Sequence, residues 1–136
     1  MKNIFVLSAL GFSCGLPYML VFSTLSAWLR DAGAALTVIG FISWAALTYS
    51  LKFLWSPFVD RIKMPLNQVV GQRRSWILMM QLLILILIMM MSQFDPISSL
   101  NFIVITAVLI AFFGSLQDIA VDAYRIELVS LDEQGN

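Results

Sequence analysis

Long uncharged apolar runs alternate with short charged segments along this chain. The runs cover residues 3–29, 32–51, 75–94 and 96–117, and the second stays largely apolar as far as Val59. A helix needs about 20 apolar residues to cross a hydrocarbon core of about 30 Å, and each run meets that length. Backbone polar groups in lipid must be satisfied within the segment, so the runs predict helices rather than open strands. We expect one all-α transmembrane domain over residues 1–136, with helices over 4–29, 36–59, 75–94 and 98–122 and a loop over 60–74.

The first run could also be a secretory signal peptide, because Lys2 precedes it. The apolar part of such a peptide is about 7–15 residues long, and this run is much longer. Gly11, Gly15 and Pro17 also interrupt it in mid-span. The pattern therefore favours a retained transmembrane helix.

The basic residues predict the orientation of the helices. Cytoplasmic loops of membrane proteins carry an excess of Lys and Arg. With four crossings, Arg30 alone falls on one side, and the other seven of the eight basic residues fall on the opposite side. We therefore expect the N-terminus, the loop over 60–74 and the C-terminus to be cytoplasmic.

Composition narrows the function classes. Apolar residues make up 60% of the chain and charged residues 12%, and the net charge is zero. Mean hydropathy is +0.91. These values favour the lipid bilayer as a partner over nucleic acid. With one cysteine, Cys14, and no histidine, the sequence offers no intrachain disulfide, histidine triad or soft metal site. We therefore expect no enzyme activity, no metal and no cofactor.

The loop over 60–74 carries two charged groups of residues. Asp60-Arg61 closes the second predicted helix, and Gly71, Arg73 and Arg74 precede the third. The basic residues could simply follow the rule that cytoplasmic loops are positive. Asp60 needs another explanation, because a carboxylate at a helix C-terminus opposes the helix dipole. It should pair with a cation, and Arg61, Arg73 and Arg74 are the available ones.

A second charged group lies at the end of the fourth predicted helix. Asp118, Asp122 and Arg125 are four and three residues apart, so they share one helix face. A carboxylate inside a membrane usually faces the bundle interior or a wet cavity and has a partner. Two interpretations of Asp118 stay open, a proton-binding group or an ion pair with Lys52, Arg73 or Arg74. Lys52 itself could extend to the interface or pair with Asp118 or Asp122.

The first helix contains small residues followed by a proline. Gly11 and Gly15 are typical of close helix packing. Pro17 frees a backbone carbonyl one turn earlier, and such breaks are tolerated where a helix lines a cavity. The candidates for a substrate path are Ser13, Tyr18 and Ser23, together with Gln117 of the fourth helix.

Several motifs resemble one transporter family. They read GFSCGLPYMLVFSTLSAWLRDAG, IGFISWAALTYSLKFLWSPFVDR, GQRRSW and QDIAVDAYRIE, and together they are similar to the AmpG-type muropeptide permeases of the major facilitator superfamily. The superfamily's motif G-x-x-x-D-R-x-G-R-R is matched by Asp60, Arg61, Gly71, Arg73 and Arg74. The chain departs from it in two ways. Ser56 replaces the first glycine, and nine residues instead of one separate Arg61 from Gly71.

The resemblance implies proton-coupled import of anhydro-muropeptides across the bacterial inner membrane. It also implies that Asp60 and the arginines form a conformational latch against the acids of the fourth helix. The first and fourth helices would line the path. Related acetyl-coenzyme A transporters in the same superfamily leave acetyl-coenzyme A as an alternative substrate.

The resemblance further implies a bundle of about twelve helices in two halves, with substrate sites where the repeats meet. This chain would supply the four-helix N-terminal portion. It could work with the remainder of the transporter, or it could be a truncated remnant without transport activity. A dimer of small four-helix transporters is a third alternative.

Overall fold

The computed structural model describes the backbone of residues 2–133 and the side chains of residues 4–40 and 42–127. Residues 2–133 contain helices and no β-strand. In chain order the helices are α1 Lys2–Met19, a π-helical segment Leu20–Leu25, α2 Ser26–Asp31, α3 Leu36–Ile42, α4 Ala45–Ser50, α5 Lys52–Arg61, α6 Asn67–Val70, α7 Gln72–Ser92 and α8 Leu100–Glu133.

These helices form up to four membrane spans. Three are continuous helices of sufficient length and apolarity, namely Ile4–Asp31, Gln72–Ser92 and Leu100–Glu127, which we call spans 1, 3 and 4. The pair Leu36–Ser50 and Lys52–Arg61 qualifies together but is bent by 54°, and we call it span 2. The prediction of an all-α transmembrane fold is confirmed, and the chain is a multi-pass membrane protein.

Span 2 is not the continuous helix expected over residues 36–59. It breaks at Leu51, whose φ of −92° and ψ of 10° lie outside the helical range. Pro57 lies inside the next helix. A proline ring clashes with the carbonyl four residues earlier, here that of Phe53, and so disfavours a straight helix through the preceding turn. Span 1 has a similar irregularity, because its π-helical segment begins three residues after Pro17.

The loop expected over residues 60–74 is shorter and partly helical. Helix α5 continues to Arg61, α6 forms a single turn, and span 3 begins at Gln72. Gly71 permits this abrupt start, since its φ of +94° is accessible mainly to glycine. The Gln72 side-chain amide donates a hydrogen bond to the backbone carbonyl of Asp60 at 3.0 Å, and the Trp76 indole donates one to the backbone carbonyl of Ile62 at 3.2 Å. The loop is thereby held against span 3.

Span 4 lies at the centre of the bundle. In its most apolar window 56% of the residues are buried, compared with 11% in span 1. It packs along the length of span 3 and also contacts spans 1 and 2. One apolar cluster, around Leu29, Ile42 and Ile103, fills one end of the bundle. A second, around Val59, Trp76 and Val121, fills the end beside the charged loop. Residues of span 4 near Asp118 therefore face protein rather than lipid.

The turn between spans 3 and 4 is held by Asp95. Its Oδ2 accepts hydrogen bonds from the backbone N–H groups of Ser98 at 2.9 Å and Ile97 at 3.2 Å. These hydrogen bonds lower the pKa of the Asp95 carboxyl because they favour its charged form, and Ser98 contributes more than Ile97.

Candidate functional site

A polar network joins three spans inside the bundle. The Ser13 hydroxyl oxygen of span 1 accepts hydrogen bonds from Gln81 Nε2 of span 3 at 2.6 Å and from Gln117 Nε2 of span 4 at 3.2 Å. Gln117 is only 1% exposed, and its Oε1 has no hydrogen-bond partner within the described part of the chain. The structure thus brings together Ser13 and Gln117, two of the residues expected along a substrate path.

Gln81 was not among the sequence candidates. It is the one polar residue between Ile77 and Met91 in an otherwise apolar run. A lone amide in such a run is costly in lipid unless it has a partner, and that signal could have identified it.

Asp118 lies beside this network, on the face of span 4 that meets spans 1 and 2. Its carboxylate is within hydrogen-bonding reach of the Cys14 thiol. Its Oδ1 is buried, and none of the described residues forms a hydrogen bond with it. Asp118 forms no ion pair with any side chain that the structure describes. The expected partners Lys52, Arg73 and Arg74 are all engaged elsewhere.

An aromatic group borders Asp118 on the side of span 2. Tyr49 contacts Gly114 so closely that a side chain there would meet its hydroxyl oxygen. That oxygen is itself buried and has no hydrogen-bond partner in the part of the chain that the structure describes. Tyr18 lies edge-on to the Tyr49 ring at 5.5 Å and stacks at a tilt on Phe22 at 4.6 Å. Tyr18 therefore belongs to the wall beside Asp118, whereas Ser23 is exposed and lies outside the network.

Lys52 pairs with the second acid of span 4. Its Nζ lies 3.3 Å from Asp122 Oδ2, and the two side chains are 43% and 56% exposed. Of the alternatives for Lys52, the structure has the pairing with Asp122. A pair this exposed contributes at most about 1 kcal/mol to stability. We therefore expect it to align the two spans rather than to stabilise the fold.

Arg73 joins three spans at the charged end of the bundle. Its guanidinium forms an ion pair with Asp60 of span 2 and a second pair, at 3.2 Å, with Glu127 of span 4. Asp60 thus has an arginine partner, as expected for a carboxylate at a helix C-terminus. The acid of span 4 that pairs with Arg73 is Glu127, which lies beyond residue 122, the predicted end of the fourth helix. It lies within reach because α8 continues well beyond residue 122.

Arg74 binds Tyr124 rather than a carboxylate. Its Nε and an Nη donate to the Tyr124 hydroxyl at 3.2 and 2.8 Å, and the guanidinium carbon lies 5.3 Å from the ring centre. The structure gives Arg61 and Arg125 no ion pair with a described side chain. Among the described residues, no group of three or more His, Cys, Asp or Glu could hold a metal ion.

Comparison with known proteins identifies one family and several relatives. The family model described as acetyl-coenzyme A transporter 1 matches residues 3–99. An uncharacterized protein of Haemophilus influenzae is 40% identical over 134 residues, which is 98% of this chain and 31% of that protein. The anhydromuropeptide permease of Escherichia coli is 39% identical over 130 residues, which is 96% of this chain and 26% of the permease. The chain thus spans no more than about a third of the length of these relatives, and the predicted resemblance is confirmed.

Proposed function

Since this chain belongs to the acetyl-coenzyme A transporter 1 family, we propose that it is part of a proton-coupled transporter that imports anhydro-muropeptides. The observation that carries the proposal is a pair of buried acceptors, Gln117 Oε1 and Asp118 Oδ1, that have no hydrogen-bond partner among the described residues. Buried polar atoms cost free energy unless they are bonded, and more so in lipid. Such atoms at the meeting point of three spans indicate that a ligand or a proton supplies the missing bond.

Asp118 is the group proposed to carry the proton. It forms no ion pair with a described cation, and it lies half-buried beside Cys14 of span 1. An ionised carboxylate in that position costs free energy, whereas the protonated form is neutral and avoids that cost. Lys52 and Asp122 lie one turn nearer the charged end, where the pair would regulate access to Asp118.

The chemistry of the site favours a muropeptide over acetyl-coenzyme A. The site presents carboxylates and amide oxygens, which accept hydrogen bonds from hydroxyl, amide and ammonium groups. The phosphates of coenzyme A are acceptors and cannot donate hydrogen bonds to these oxygens, and an ionised Asp118 would repel their negative charges. The aromatic group Tyr18, Phe22 and Tyr49 adds an apolar wall suited to a sugar ring.

Arg73 with Asp60 and Glu127 is proposed as the conformational latch. The three charges connect spans 2, 3 and 4 at one end of the bundle, so separating these spans requires breaking both ion pairs. We place this end in the cytoplasm of a bacterial inner-membrane protein, together with both termini, on the strength of the basic residues. Because the chain spans no more than about a third of its relatives, the proposal includes further polypeptide that completes the path.

The test is uptake of labelled anhydro-muropeptide into cells or right-side-out vesicles that contain this chain, alone or co-expressed with the unmatched part of the Escherichia coli permease. We expect uptake only with co-expression, dependence on the proton gradient, and at least a tenfold loss with Asp118→Asn. Asp31→Asn, at the opposite end of span 1, is the control and should leave uptake unchanged.

Two further results would decide between the alternatives. Asp60→Asn should lower uptake while membrane insertion stays intact, and unchanged uptake would remove the latch. Competition by excess acetyl-coenzyme A would favour the alternative substrate. Equal background uptake in every sample would leave the chain as a membrane protein without transport activity.

A further inference from the structure

The charged end of the bundle contains a polar cavity next to two apolar grooves. The cavity has a volume of about 510 Å³, and its wall includes Asp60, Gly71, Arg73, Arg74, Tyr124 and Glu127. One groove, of about 380 Å³, lies between Val6 and Leu10 of span 1 and Ile77 and Leu78 of span 3. The other, of about 330 Å³, lies between Leu66 of the charged loop and Leu78, Leu82 and Leu85 of span 3.

The three spaces are contiguous. Val70, Arg74 and Tyr124 line both the polar cavity and the first groove. Leu78 and Gln81 line both grooves, so Leu78 forms a ridge between them. From Arg74 to Gln81 the helix rises about 10 Å, so the grooves reach about a third of the way into the hydrocarbon core. A polar pocket at the interface therefore opens into two adjoining apolar channels.

Two acids and two arginines line this pocket, and neither acid pairs with Arg74. Arg73 is neutralised by two carboxylates, whereas Arg74 forms no ion pair with a described side chain. An arginine has five N–H donors, and the Tyr124 oxygen accepts two of those of Arg74. Three donors remain on a fixed, planar guanidinium, an arrangement suited to phosphate oxygens. The neighbouring loop adds Arg61 and Lys63 to the positive charge of this end.

We propose that this surface binds an anionic phospholipid. The phosphodiester lies against Arg74, and the two acyl chains occupy the grooves on either side of Leu78. Three features select this occupant. A phospholipid has two chains for the two grooves, its phosphate matches the Arg74 guanidinium, and basic segments at the membrane surface attract anionic lipids. The inference is independent of what the protein transports.

The experiment uses the purified 136-residue chain in detergent, with bound lipid measured by native mass spectrometry. Phosphatidylglycerol and phosphatidylcholine with identical chains are added at equal concentration. We expect phosphatidylglycerol to be retained about tenfold more strongly than phosphatidylcholine. Arg74→Gln should abolish that preference, because charge-assisted hydrogen bonds raise binding affinity by about a factor of ten or more. Arg30→Gln, an exposed arginine at the opposite end of span 1, is the matched control and should retain the preference.

A second variant tests the grooves without touching the charge. Leu78→Trp widens the ridge between the grooves and should weaken phosphatidylglycerol binding about fivefold or more, whereas Leu109→Trp, on an exposed part of span 4, should not. Two results with the wild-type chain and the arginine variants would overturn the proposal. One is equal retention of the two lipids by the wild-type chain, and the other is loss of the preference in Arg30→Gln to the same extent as in Arg74→Gln. Retained binding in Leu78→Trp would reduce the site to a phosphate contact and would also contradict it.

Discussion

The Ser13 hydroxyl is a junction of three spans, because amides from Gln81 and Gln117 both donate to it. Ser13→Ala removes the acceptor and leaves two amide donors unpaired. We expect a loss of about 1–3 kcal/mol in the free energy of unfolding, the usual cost of an unsatisfied buried polar group. The measurement is unfolding in mixed micelles with increasing denaturing detergent.

Ser8→Ala is the matched control for this residue. Ser8 is exposed, and its hydroxyl donates only to the Ile4 carbonyl of its own helix, at 2.9 Å. Its loss should change stability by less than about 0.5 kcal/mol. Equal effects of the two substitutions would show that the network does not hold the spans together.

Gly114 of span 4 lies in close contact with Tyr49 of span 2. A Cβ at this position would meet the Tyr49 hydroxyl oxygen and would lie 3.4 Å from the Pro17 Cβ. Gly114→Ala should therefore destabilise the bundle by about 1–3 kcal/mol through overpacking. Tyr49→Phe removes the oxygen and should recover part of that loss in the double variant, measured in the same unfolding assay.

The control for Gly114 is another glycine of the bundle. At Gly11, no described atom lies within 4 Å of the position that a Cβ would take, so Gly11→Ala adds a methyl group in open space. We expect it to be neutral or slightly stabilising, since alanine favours the helix over glycine. A larger effect at Gly11 than at Gly114 would contradict the packing described for Tyr49.

At the scale of elements, the turn between spans 3 and 4 gives a pH-dependent prediction. The lowered pKa of Asp95 means that the folded state favours the charged carboxylate. The stabilisation is present above the ordinary pKa of 3.8 and is lost as the pH falls through the lower folded value. Asp95→Ala should lower the unfolding temperature at neutral pH, and the difference from wild type should disappear in that acidic window. A difference that persists unchanged at the lowest pH would exclude the carboxylate as its cause.

The lengths of the apolar runs predicted the all-α transmembrane fold, because a bilayer-crossing helix leaves little freedom in its length or in its backbone hydrogen bonding. The break of span 2 at Leu51 was harder to foresee. A proline such as Pro57 permits a kink but does not dictate its angle, which depends on packing against span 4. The early start of span 3 similarly depends on the positive φ of Gly71, which the sequence allows but does not require.

The candidate site was predictable where charges stand out against an apolar background. Asp60 needed a cation, and Asp118 was identified as a carboxylate inside the bundle. Which residues pair is a matter of helix length and rotation. Glu127 reaches Arg73 only because α8 extends past the predicted end of the helix, and Lys52 meets Asp122 rather than Asp118. Sequence spacing places residues on a face, but the angle between two helices decides the partners.

At the scale of the whole molecule, the bend in span 2 allows two membrane topologies, and the proposed sites face different sides of the membrane in each. If both of its helices together cross the bilayer, residues 64 and 98 lie on opposite sides and residue 64 is cytoplasmic, in agreement with the distribution of basic residues. If span 2 instead enters and returns on one side, the chain crosses three times and residue 64 becomes external. The two arrangements also place span 4, with Asp118 and Arg73's partner Glu127, in opposite orientations.

Single-cysteine labelling distinguishes these arrangements, because Cys14 is the only cysteine of the chain and Cys14→Ser provides the background. Met64→Cys lies in the charged loop, and Ser98→Cys lies in the turn between spans 3 and 4. With a membrane-impermeant maleimide on intact cells, we expect labelling of Ser98→Cys alone, and labelling of Met64→Cys only after permeabilisation. The reverse pattern would mean that seven of the eight basic residues do not determine the orientation, and that the proposed latch and lipid site face the periplasm.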